Sequence, residues 1–195
     1  MVQDRVMAEQ APPTEPPAKP KPSGKRVAVE WIVILLGAVL VAFLVKTFLL
    51  QAFFIPSESM DPTLKVKDRV LVNKLSYDFH DVHRGDIIVF KSPPGETNSE
   101  IKDLIKRVVA LPGETVEGHD GHVFINGKPI DDSYLAKGVT TSSFAPQKIP
   151  AGDVWVMGDN RGNSKDSRFF GPISEDLIVG RAFIRVWPLT AFGFL

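Results

Sequence analysis

Ser57 and Ser59 stand in Phe53-Phe54-Ile55-Pro56-Ser57-Glu58-Ser59-Met60-Asp61-Pro62-Thr63-Leu64. The two prolines bar both a helix and a central strand, which predicts a constrained, extended loop carrying both hydroxyls. A serine attacks a carbonyl effectively only when a neighbouring base takes its proton. The 4 histidines fall as His80/His83 and His119/His122, each pair in a turn-like stretch. Exposed loop histidines are poor candidates for that base, and without ligand count or second shell they predict no metal site. A second segment places a lysine, Lys106, among Leu104, Ile105, Val108 and Val109 in a stretch that runs into the turn Leu111-Pro112-Gly113-Glu114. A free lysine with pKa ~10.4 is neutral about once in 2,500 at pH 7, a penalty of roughly 4.6 kcal/mol for a base. Apolar surroundings lower that pKa by several units. A third segment, Gly158-Asp159-Asn160-Arg161-Gly162-Asn163-Ser164-Lys165-Asp166-Ser167-Arg168, is a dense polar loop after the apolar run Val154 to Met157. Taken singly, each segment has a plainer reading: a linker, a lysine keeping a strand edge soluble, an Asx-rich turn.

The elements that must position these residues follow from composition and pattern. The 195 residues suit one domain and an appendage, and 44% hydrophobic with 24% charged residues is globular in character. Lys+Arg and Asp+Glu are both 23, so no basic footprint for nucleic acid exists. The absence of cysteine excludes a disulfide framework, a thiolate zinc site and a Cys nucleophile. G-x-S-x-G, H-E-x-x-H, P-loop and Rossmann fingerprints are also absent, and no cofactor is implied.

Residues 1–26 are rich in proline and poor in large apolar side chains, which predicts a disordered tail. Trp31 to Val45 then gives 15 uncharged residues between Glu30 and Lys46. With its apolar flanks the stretch 27–50 reaches roughly 36 Å as a helix, enough to cross a ~30 Å hydrocarbon core. The exit Leu50-Gln51-Ala52-Phe53-Phe54 carries no small-x-small cleavage site, so a retained anchor is expected. Lys19, Lys21, Lys25 and Arg26 precede the span, whereas 47–64 contains no Lys or Arg. The tail is therefore predicted to be cytoplasmic and residues 51–195 to lie outside. From Leu50 to Ser59 the chain reaches at most ~30 Å, which ties the serines to the membrane surface.

Past residue 56 no long helical period competes with short β-branched and aromatic runs: Val70–Val72, Ile87–Phe90, Val154–Met157 and Ala182–Trp187. Arg84-Gly85-Asp86, Pro93-Pro94-Gly95 and Pro150-Ala151-Gly152-Asp153 punctuate them. Asn126-Gly127 after Val123-Phe124-Ile125 signals a hairpin. The prediction is a mainly β, antiparallel, barrel-like domain with a small hairpin insertion near 117–149 and one N-terminal transmembrane helix.

In order and in type, the segments P-S-x-S-M-x-P-T-L, K-R-V-x-x-L-P-G-E and G-D-N-R-x-N-S-x-D-S-R-x-x-G-P resemble the boxes of type I signal peptidases. Behind a membrane anchor, the resemblance covers nearly the whole chain. It implies a Ser/Lys-dyad endopeptidase that cuts signal peptides from exported preproteins at the membrane. Residue by residue, it implies Ser59 as nucleophile and Lys106 as general base. Ser57 and the Ser59 N–H would hold the oxyanion, and Ser164 would hydrogen-bond the lysine amine. Asp159, Asp166 and Arg168 would form a charged framework, and Phe53, Ile55, Met60, Leu64 and Ile105 would line substrate pockets for small side chains. Glu58, between the serines, and Leu104, where some relatives carry an aromatic, depart from the pattern. Two other classes fit less well: a tethered β domain without chemistry lacks a reason for both Ser59 and Lys106. A self-cleaving repressor needs a DNA-binding helical part that the tail cannot form.

Overall fold

The computed structural model describes residues 24–94 and 102–195. Residues 1–23 of the disordered tail expected at 1–26, and Gly95 of one predicted turn, lie outside the described residues, whereas 24–26 are helical and not disordered. The chain divides into two units, 1–41 and 42–195.

Helix α1 (Gly24–Leu44) begins in the first unit and ends in the second. Its stretch Val27–Leu44 is long and apolar enough to cross a membrane. Trp31, Val33, Ile34, Leu36, Val39 and Val41 are all exposed, so apolar side chains point outward all round the helix instead of along one stripe. The span expected at 27–50 is not one continuous helix. The α-helix stops at Leu44, a π-helical turn occupies Val45–Leu49, and Leu50 already belongs to a strand. Sheet pairing begins before the hydrophobic run ends: the Lys74 N–H donates to the Leu49 carbonyl at 2.9 Å, and Leu50 pairs with Asn73.

The second unit is mainly β. Its strands are β1 (Leu50–Phe54), β2 (Arg69–Asn73), β3 (Ile87–Lys91), β4 (Asp103–Ala110), β5 (Thr115–His119), β6 (His122–Ile125), β7 (Lys128–Pro129), β8 (Phe144–Lys148), β9 (Asp153–Met157), β10 (Ile173–Ser174), β11 (Ile178–Trp187) and β12 (Gly193–Phe194). Short helices α2 (Ser76–Phe79) and α3 (Ser167–Phe170) interrupt them. Every predicted β-branched run lies in a strand. The larger sheet runs β1-β2-β11-β3-β4-β9-β10, with β12 on β11, and all its pairings are antiparallel. Its path has two free ends, which makes a half-barrel, and the barrel-like expectation holds in that form.

The insertion is larger than one hairpin, because β7-β6-β5-β8 form a second antiparallel sheet. Asn126 and Gly127 connect β6 to β7 with φ of 52° and 74°. Positive φ at both central residues is the type I′ signature, and its twist matches the flanking strands. Asp120 and Gly121, with φ of 52° and 82°, do the same between β5 and β6.

Strand β3 shows how the larger sheet buries both faces. Ile87 and Val89 enter one apolar cluster with Ile55, Met60, Leu64 and Ile105, whereas Ile88 and Phe90 enter another with Val108 and Val156. A strand buried on both faces reads as a continuous apolar run, as Ile87-Ile88-Val89-Phe90 does. A third cluster, around Val116, Ile149, Trp155 and Met157, joins the second sheet to the first.

Candidate active site

Lys106 lies on β4, between β3 and β9 in the interior of the sheet, opposite Ile88. That position removes the edge-lysine reading, since no strand edge is there to protect. Its side chain is 3% exposed. The amine Nζ lies 2.8 Å from Ser59 Oγ and 3.0 Å from the Ile105 carbonyl oxygen. Burial pulls its pKa down to about 8, against the opposing pull of the Asp166 and Asp159 carboxylates. A charged amine in that position loses more hydration than the two carboxylates restore.

Ser59 is not on an extended loop. Asp61 N donates to Glu58 O at 3.0 Å and Leu64 N to Met60 O at 2.8 Å, so the segment turns sharply through the serine. Pro56 and Pro62 exclude regular structure, but they do not dictate extension. Cross-chain bonds fix the turn: Ile55 N to Asp68 O at 3.0 Å, and Asn160 N to Ser59 O at 3.1 Å. Ser57 Oγ donates to Ser59 Oγ at 3.4 Å. Glu58 is exposed.

The polar loop after β9 closes over this turn. Gly158 is required there, because a Cβ would collide with the Ser59 carbonyl oxygen and with Ser164 Oγ. Ser164 thus lies against the turn, but its buried hydroxyl has no hydrogen-bond partner. The bond to Lys106 that the family resemblance implies is not formed; the amine's contacts run to Ser59 and Ile105. Asp166 is fully buried; it accepts from Gly158 N at 3.0 Å and from Arg168 Nε and Nη2 at 2.8 and 2.9 Å. Asp159, also fully buried, accepts from Arg107 Nε and Nη2 at 2.9 and 2.7 Å and from Thr63 Oγ1. Both carboxylates therefore sit in forked pairs, the geometry that best repays desolvation.

Of the substrate-pocket candidates, Ile55, Met60, Leu64 and Ile105 share one apolar cluster, and Phe53 packs against it. Residues around the site also include some that sequence reasoning did not single out. Arg107 follows Lys106, so on a strand it points to the opposite face, and its place beside Lys106 was the available signal. Arg161 and Thr63 stand in the quoted boxes without a role read for them, and Tyr134 and Thr141 gave no signal, because their partners are far away in the chain. The loop histidines lie apart from Ser59 and Lys106: His119 stacks on Phe124 at 3.8 Å, and His122 meets Asp132 at 3.1 Å.

A serine hydroxyl against a desolvated lysine amine is an arrangement that can serve as nucleophile and base, as in serine peptidases that use lysine where others use histidine. Comparison with known proteins identifies which of them. The sequence profile of the signal peptidase family, peptidase S26, matches residues 28–187, and the chain belongs to that family of serine peptidases. Relatives include a signal peptidase I of Leptolyngbya laminosa, 42% identical over 95% of this chain and 92% of its own length. Signal peptidase IB of Staphylococcus aureus (strain MRSA252) is 35% identical over 87% of this chain and 95% of its own. A crystal structure of a signal peptidase I from Enterococcus faecalis V583 aligns with a TM-score of 0.43 at 32% identity, over 52% of this chain and 97% of that one.

Proposed function

We propose that this chain removes N-terminal signal peptides from exported preproteins by a Ser59/Lys106 mechanism at a membrane surface. The observation that carries the reading is the 2.8 Å approach of Lys106 Nζ to Ser59 Oγ with the amine buried. A neutral amine has one lone pair and two N–H bonds. The lone pair takes the Ser59 proton as Oγ forms a bond to the scissile carbonyl carbon. One N–H is held by the Ile105 carbonyl, and the other is free for the unpartnered hydroxyl of Ser164. The carbonyl oxygen becomes an oxyanion, held by the Ser57 hydroxyl and the Ser59 N–H. Collapse breaks the C–N bond, and Lys106 returns the proton to the leaving amine. Water, deprotonated by Lys106, then releases the acyl group from Ser59. Asp159, Asp166 and Arg168 hold the loop that shapes this site. Phe53, Ile55, Met60, Leu64 and Ile105 form the apolar floor against which small side chains of an extended substrate pack.

In the same reading, residues 1–26 are a cytoplasmic tail, 27–50 hold the anchor, and 51–195 form the catalytic domain on the outer face of the cytoplasmic membrane. The charge asymmetry before and after the span supports the orientation. Exposed aromatics support the lipid contact: Phe54 and Trp187 flank Arg69 across three adjacent strands. Leu189, Phe192 and Phe194 continue the apolar surface at the chain end. Co-expression of a secretory precursor with wild type, Ser59→Ala and Lys106→Ala tests the proposal. Mature product with wild type alone is expected, and normal processing by either variant refutes the dyad.

A further inference from the structure

The loop that closes over Ser59 is itself gripped from the connection between β7 and β8. Arg161 is 3% exposed, yet none of its three side-chain partners is a carboxylate. Nε donates to the Gly158 carbonyl at 3.1 Å, Nη1 to Thr141 Oγ1 at 2.8 Å and Nη2 to Tyr134 Oη at 2.8 Å. The Tyr134 ring lies under two guanidinium groups, with Arg107 4.2 Å and Arg161 5.9 Å from its centroid. Burial keeps the Tyr134 phenol protonated, and hence an uncharged acceptor for Arg161. Thr141 is anchored in turn by its own N–H, which donates to Gly121 O at 2.8 Å in the β5–β6 turn.

A buried guanidinium ordinarily takes a carboxylate, because an uncompensated charge away from water is costly. Here the cation is satisfied by neutral oxygens, one of them the phenol of Tyr134, which compensate it more weakly. The neighbourhood gives a reason. Asp159 and Asp166 already favour the charged form of the Lys106 amine, and a third carboxylate would add to them. What the clamp secures is the catalytic main chain: Gly158 packs on Ser59, and Asn160, next to Arg161, donates to the carbonyls of Ser59 and Glu58.

We propose that Tyr134 and Thr141 are positioning residues for the peptidase reaction. They hold Arg161, and through it the loop that fixes Ser59, with uncharged oxygens that place no further carboxylate near Lys106. This inference rests on the Ser59/Lys106 reading, so Ser59→Ala is assayed alongside; an active Ser59→Ala variant would sink that reading whatever the clamp variants do. The full chain in detergent is assayed with a quenched fluorescent peptide carrying a signal-peptide cleavage site. Tyr134→Phe keeps the ring over Arg107 and removes one acceptor. It is expected to lower kcat about three- to tenfold, the worth of one hydrogen bond to a charged group or less, with KM within twofold. Arg161→Lys is expected to do at least the same, and the double variant no worse than Arg161→Lys alone, because Tyr134 acts through Arg161. Thr141→Asp offers Arg161 a better ion pair than Thr141→Asn does, yet is expected to move the acidic limb of kcat/KM to higher pH. With Ser59→Ala inactive, any of three results overturns the clamp: multiplicative losses in the double variant, a change confined to KM, or identical limbs for Thr141→Asp and Thr141→Asn.

Discussion

Lys106→Met should yield a protein that is inactive and more stable. Methionine keeps an unbranched side chain, one atom shorter than lysine's, and has no charge to desolvate. Burial depresses the Lys106 pKa from its ordinary ~10.4 to about 8, a shift equivalent to roughly 3 kcal/mol. The folded value lies below the unfolded one. At pH 7 both states hold the proton, and the folded state bears the full cost of a charged amine out of water. Between about 8 and ~10.4 the unfolded chain still binds a proton that the folded chain has shed, so wild-type stability rises with pH across that window. The variant lacks this dependence. It also loses the contacts of the amine with Ser59 Oγ and Ile105 O, which offset about 1 kcal/mol of the gain. A net gain of about 2 kcal/mol at pH 7 corresponds to about 4–8 °C in Tm for a domain of this size. Thermal unfolding in detergent, followed from pH 6 to 11, measures it. The gap between variant and wild type should be widest below pH 8 and close towards pH 10.5 or so. A variant less stable than wild type at pH 7, or a gap independent of pH, would show that Lys106 is not held against its charge.

The kinetic counterpart is an acidic limb in kcat/KM centred near pH 8, since the free enzyme must present a neutral amine; a profile flat from pH 6 to 9 contradicts it. Gly158→Ala should abolish processing, because its methyl would collide with Ser59 O and Ser164 Oγ; wild-type turnover would mean that the loop is not seated on the turn. Asp159→Asn leaves Arg107 without its forked partner and should cost about 3–5 kcal/mol in denaturant unfolding, as for a broken buried pair. A loss under 1 kcal/mol or so would place that pair among solvent-screened ones.

How far the sequence reaches depends on whether the information is local. Asn126-Gly127 predicts its hairpin because two positive φ angles are needed within two residues, and only a few residue types supply them. Lys106 could be picked out because its apolar neighbours sit beside it on one strand, and a strand buried on both faces desolvates whatever it carries. The turn through Ser59 was not legible, since it is held by Asp68 and Asn160 rather than by its prolines. Asp159 was visible as part of a polar loop, but its partner Arg107 comes from another strand 52 positions away. Tyr134 sits in a stretch with no chemical pattern at all, and only tertiary structure brings it under two guanidinium groups.

On the proposed Ser59/Lys106 mechanism, the arrangement resolves a conflict inherent in a lysine base. The loop that must close on Ser59 needs buried polar anchors, and Asp159 and Asp166 serve as those anchors. Each of them also draws the amine toward the protonated form, in which it cannot act. Forking each carboxylate onto its own arginine, Arg107 for Asp159 and Arg168 for Asp166, commits that negative charge elsewhere. Desolvation of Lys106 by the sheet then outweighs what remains. On this account the two guanidinium groups matter to catalysis as much for the field they cancel as for the loop they hold. Replacing either arginine by an uncharged side chain should raise the pH of the acidic limb as well as loosen the loop.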